Sequence, residues 1–150
     1  MWLDAILAYL HYIAIFTLAS FMVLEMAIIK AALDAAAVRR LGRIDVVYFG
    51  TAIVVLVTGF LRLVFGAKGP DFYLDAWPFY VKIGLFLAIA IVSVVPTLAF
   101  IRWRRMFDHD PAWKVPPAEQ ARMKRLILVE LHLGALIPLV AVIMSRGLGR

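Results

Sequence analysis

Four apolar runs, near residues 3–30, 45–65, 79–101 and 125–145, decide what this chain can fold into. Each is long enough to cross the hydrocarbon core of a bilayer, which takes roughly 20 apolar residues in a helix. Together they use most of the 150 residues, so the sequence predicts a single membrane-embedded domain over 1–150. Stretches such as "AIVVLVTGFL" and "GLFLAIAIVSVV" do not alternate apolar with polar residues as the strands of a membrane β-barrel would. Helices satisfy their own backbone hydrogen bonds in lipid, and short connections make successive helices antiparallel neighbours. The expected fold is all-α, an up-down-up-down four-helix transmembrane bundle.

Composition agrees. The chain is 65% hydrophobic, with a mean hydropathy of +0.93, whereas soluble domains are about 45–50% apolar. The opening "MWLDAILAYL" has no basic stretch before its apolar run, so the first run reads as a retained helix and not a cleaved signal. Cysteine is absent, which excludes thiolate catalysis and thiolate metal sites.

The net charge of +6 has a distribution that argues against nucleic-acid binding. Arg39, Arg40 and Arg43 lie in the first connection (31–44), and Arg102, Arg104, Arg105, Lys114, Arg122 and Lys124 in the third (102–124). The middle connection has only Lys68 against Asp71 and Asp75. This is the positive-inside pattern, which places both termini outside a bacterial inner membrane. Trp2, Trp77 and Tyr80 then fall at the outer interface, and Tyr48 and Trp103 at the inner one, as an aromatic belt would. Membrane lipids are the expected surroundings, with a homodimer or a larger membrane complex as further partners. The first helix is expected to project past the membrane and break at Gly42. The fourth is expected to start at Pro117, with Glu119 in its first turn.

Ionisable side chains at membrane depth are costly and point to function. At 1.5 Å per residue, alternating helix directions sort them into two layers. An outer layer holds His11, Arg62 and Lys82. An inner layer holds Glu25, Glu130, His132 and Tyr48. Tyr48, Thr51, Val55, Thr58 and Arg62 step by three and four along the second span, a polar stripe that should face protein. Glu130 and His132 are two residues apart, so they point to nearly opposite sides of their helix, and one of them faces the bundle axis. No HxxxH or HExxH pattern occurs, and His109 sits in the connection "FDHDP". A bis-histidine haem between His11 and His132 meets a depth mismatch of roughly 10 Å. A single ligand with Met22, Met26 or Met144 is less constrained.

The stretches "LAYLHYIAIFTLASFMVLEMAIIK", "VTGFLRLVFGAKGPDFYL" and "LVELHLGALIPLVAVIMSRG" resemble a family of small bacterial four-span proteins, domain-of-unknown-function family 2214. More distantly, the "LH" of the first helix and the "VK" opening the third are similar to the HemJ-type protoporphyrinogen oxidase, and the layout to CopD-type membrane proteins. That second resemblance implies haem b and functional roles for His11 and Lys82, although the paired Glu130 and His132 depart from the HemJ pattern. Three readings follow. In the first, haem b or a related tetrapyrrole serves a redox role. His11 is the iron ligand, Arg62 and Lys82 pair with anionic groups, and Lys82, Glu130 and His132, with Glu25 and Tyr48, handle protons. In the second, the protein transports protons, metal ions or a solute. In the third, it is a structural subunit in which Gly134, Ala135 and Ala141 allow close helix packing.

Overall fold

A computed structural model describes residues 2–148. The chain forms α1 (Trp2–Ile29), α2 (Ala35–Phe65), a short α3 (Gly69–Leu74), α4 (Trp77–His109) and α5 (Pro117–Ser145). The four long helices are each long and apolar enough to cross a membrane. They have 28, 31, 33 and 29 residues. At 1.5 Å per residue they run roughly 42–50 Å, longer than the ~30 Å hydrocarbon core. The surplus carries charge. Arg39, Arg40 and Arg43 lie on the first turns of α2, Arg102, Arg104 and Arg105 on the last turns of α4, and Arg122, Lys124 and Arg125 on the first turns of α5. These residues define a basic end of the bundle. The start of α1, α3 and the end of α5 define the opposite, terminal end.

Local chemistry sets the helix starts. Asp34 accepts a hydrogen bond from the Ala37 amide at 2.7 Å and caps α2. Pro78 and Pro117 stand in the first turns of α4 and α5, where a missing N–H costs nothing. The α1–α2 break therefore falls at residues 30–34 and not at Gly42, which is inside α2. The expected connections shrink for the same reason. Residues 35–44 are helical, and α4 continues through His109, leaving only 110–116 as the third connection. Arginine is a good helix former, so polar sequence alone did not end these helices. At the terminal end Gly69 has φ 75°, a left-handed conformation that glycine supplies at the start of α3.

The helices form a ring in which α1 packs chiefly on α2 and α4 on α5, with smaller seams between α1 and α5 and between α2 and α4. The densest apolar core lies toward the basic end, where Ile29, Val38, Leu41, Phe100, Trp103 and Ile127 are all at most 1% exposed. Trp103 and Tyr48 are thus buried in the bundle and do not form an interfacial belt, whereas Trp2, Trp77 and Tyr80 are exposed at the terminal end. Two ties close the ends. Gln120 donates from Nε2 to the Ile29 and Ala31 carbonyls, both at 2.8 Å. The Ala67 amide donates to Asp4 at 3.2 Å. Outward-facing Phe16, Ile53, Phe60, Ile91, Leu98 and Leu139 give the bundle an apolar exterior that suits lipid.

Candidate functional site

Just above the apolar core, three helices each bring one carboxylate to the interior. Glu25 of α1, Asp45 of α2 and Glu130 of α5 are 3%, 5% and 2% exposed. They lie within electrostatic range of one another. The helical period explains the placement. Glu25 lies between the buried Met22 and Met26, Asp45 follows the buried Leu41 by one turn, and Glu130 follows the buried Ile127 by three residues. Tyr48, one turn on from Asp45, is 3% exposed and close to both glutamates. Ser93 of α4 is buried beside it and donates to its own helix at Ala90 O, 2.9 Å away.

The hydrogen bonding of this cluster is incomplete. Thr97 donates to Asp45 Oδ1 at 2.9 Å across the α2–α4 seam, and its oxygen is also 2.9 Å from Ser93 O. One hydroxyl proton therefore faces two acceptors. Glu25 Oε1 and Glu130 Oε1 are buried without a hydrogen-bond partner. Among the described residues the ion pairs are Arg39–Asp108, Arg102–Glu119 and Arg104–Asp108, all toward the basic end, and none reaches the cluster. Leaving such carboxylates ionised and unpaired costs several kcal/mol each.

A second polar layer occupies the half nearer the terminal end. His11 of α1 meets Thr58 of α2, with Nδ1 and Oγ1 2.9 Å apart. The Thr58 hydroxyl proton already faces the Val54 and Val55 carbonyls at 2.7 and 3.2 Å, and carbonyls only accept. The imidazole N–H is therefore the donor in the His11–Thr58 pair, and Nδ1 carries the proton. The ring rests on Gly59, where a Cβ would come 3.2 Å from His11 Cε1. Arg62 and Lys82 lie within electrostatic range of His11 and of each other. The Arg62 guanidinium stands 5.4 Å from the Tyr12 ring centroid, and Lys82 Nζ stands 5.5 Å from that of Phe79.

The structure thus brings His11, Arg62 and Lys82 together in one layer, and Glu25, Tyr48 and Glu130 in the other. It sets His132 apart. That side chain is exposed on the outside of α5 and its Nδ1 lies 2.7 Å from the Leu128 carbonyl of its own helix. Of the pair, Glu130 is the residue that faces the interior. Asp45 is the member that sequence reasoning missed. It follows "RRLGRI", which reads as a loop, yet its spacing of three to Tyr48 would have joined it to the polar stripe. His109 ends α4 and is exposed. Among the described residues no three His, Asp or Glu side chains converge as metal ligands do. Met22 and Met26 lie on the same helix as His11, roughly 16 and 22 Å along its axis, so neither can share an iron with it.

Residues 3–149 match the sequence model of a family described as "Predicted membrane protein (DUF2214)". No curated protein and no solved structure matches the chain. A family match over nearly the whole length, together with four apolar helices of membrane-spanning length, makes this chain a member of the DUF2214 family of membrane proteins.

Proposed function

We propose that the protein moves protons, alone or coupled to a solute, and that Glu25, Asp45 and Glu130 form the site where they bind. One observation carries this reading: three carboxylates from three helices share a buried interior with no cationic partner among the described residues. Such a cluster is tolerable only when its charge is neutralised, and with no three ligands among the described residues converging as for a metal, protons are the neutralising species. Protonation also has a structural consequence. A protonated Asp45 donates to Thr97, which frees the Thr97 proton for Ser93 O, so proton loading completes the hydrogen bonding of the α2–α4 seam. The core beneath, built on Phe100 and Trp103, separates the cluster from the basic end and is the barrier that transport must open. By the positive-inside rule the basic end faces the cytoplasm.

The test has two parts. Infrared difference spectra of the purified protein should show a protonated-carboxyl band that weakens in Glu130→Gln and Glu25→Gln. Liposomes holding the protein and a pH-sensitive dye should dissipate an imposed pH gradient faster than empty liposomes, and Glu130→Gln should abolish the difference. No carboxyl band, or flux indifferent to all three carboxylates, overturns the reading.

A second reading, haem b on His11, is favoured by one feature. Thr58 holds the Nδ1 proton and leaves Nε2 with its lone pair, the arrangement a metal-ligating histidine requires. Haem would supply one-electron chemistry, and Arg62 and Lys82 would face its acidic groups. Absorption spectra of the oxidised and dithionite-reduced protein decide it, since His11→Ala should remove any Soret band.

A further inference from the structure

Arg62 and Lys82 are two half-buried cations near the terminal end of the bundle, without an anion among the described residues. Neither makes a hydrogen bond or an ion pair among the described residues, and each stands over an aromatic ring, Tyr12 for Arg62 and Phe79 for Lys82. Arg62 is half-buried, and its Nε is enclosed without a partner. Arg62 lies three residues before the end of α2 and Lys82 five residues after the start of α4, on two facing helices. His11 of α1, its N–H engaged with Thr58, lies in range of both. Of the carboxylates at this end, Asp4 is engaged with the Ala67 amide, and among the described residues neither Asp71 nor Asp75 forms an ion pair with Arg62 or Lys82. Like charges held together in a low-dielectric setting repel unless an anion sits between them.

We propose that the layer formed by His11, Arg62 and Lys82 is a binding site for an oxyanion, a phosphate or carboxylate group entering from the terminal end of the bundle. The guanidinium fork matches two oxygens of such a group, and the ammonium adds a point charge beside it. Tyr12 and Phe79 supply the apolar walls. The site is made by α1, α2 and α4 and shares no residue with the carboxylate cluster, so it stands whether or not the proton reading holds.

Two sources offer this chemistry, a phospholipid head group and a free anionic solute, and the experiment separates them. The full-length protein is purified in mild detergent and examined by native mass spectrometry after exposure to phosphatidylglycerol. A delipidated sample is titrated calorimetrically with inorganic phosphate and with citrate. The same measurements follow on Arg62→Gln, on Lys82→Gln and on the charge-preserving pair Arg62→Lys with Lys82→Arg. A lipid source predicts retained phosphatidylglycerol that either neutral variant loses. A solute source predicts phosphate or citrate binding that weakens about tenfold or more in the neutral variants. In both cases the charge-preserving pair should keep part of the binding and confirm that the bundle is folded. Absence of both kinds of binding in the wild type, or binding equal in wild type and neutral variants, overturns the proposal.

Discussion

Replacing Asp45 and Thr97 singly and together measures the side-chain bond that joins α2 to α4 at membrane depth. Asp45→Asn and Thr97→Val keep nearly the same volume, so the cycle reports on polarity more than on packing. The contact is 2.9 Å long, but Thr97 has one proton for two acceptors at equal distance, Asp45 Oδ1 and Ser93 O. A hydrogen bond to a charged group contributes about 1.5–3 kcal/mol in soluble proteins. Polar contacts between membrane helices average about 0.6 kcal/mol and reach about 1.7 kcal/mol. A shared proton belongs toward the lower part of that second range, and a protonated Asp45, which completes both bonds, toward the upper part. The expected coupling at neutral pH is therefore about 0.6–1.7 kcal/mol. Unfolding in mixed micelles with increasing dodecyl sulfate, followed by far-ultraviolet circular dichroism, gives the four stabilities. Coupling within ~0.3 kcal/mol of zero, the ordinary scatter of independent sites, would refute the bond and the protonation switch built on it.

Three further outcomes are expected. Gly59→Ala puts a methyl group 3.2 Å from His11 Cε1; the ring must shift, at a cost of about 1–3 kcal/mol, and a change in the imidazole NMR signals reports the lost Thr58 contact. Gln120→Ala removes two bonds to the Ile29 and Ala31 carbonyls; at about 0.5–1.5 kcal/mol each, the loss should lower the dodecyl-sulfate midpoint and speed amide exchange at residues 30–34. His132→Ala, on an exposed side chain bonded only to its own helix, should change stability by no more than about 0.5 kcal/mol; proton flux equal to wild type would match its place outside the cluster.

The bundle itself was legible because four apolar runs of membrane length admit few alternatives. Depth reasoning also separated the polar residues into layers, since rise per residue and helix direction are fixed by geometry. What it could not give was rotation about each helix axis. Glu130 and His132 are equally polar in a pattern, and only the packing of α5 on α1, with Gly134 close to Met22, turns Glu130 inward. Asp45 and Trp103 were misjudged for a related reason. Both sit where arginines begin, and polar neighbours read as surface. Yet helices of this length carry the ring of buried residues past the membrane boundary, so Trp103 is wholly enclosed and donates its indole N–H to Glu119 at 2.8 Å.

The pairing of α1 with α2 and of α4 with α5 bears on how the protein is made. Each pair is a hairpin of two apolar segments that can enter the membrane during synthesis and stand there alone. The first hairpin then waits in lipid with Glu25 and Asp45 on the face that will meet α4 and α5. Lipid offers those groups nothing to bond, and the arriving second hairpin brings Asp45 a donor in Thr97. Asp45, one of the carboxylates that make the finished interior costly, thus also helps its two halves find each other, and an N-terminal fragment ending after α2 would be expected to pair with itself or be degraded.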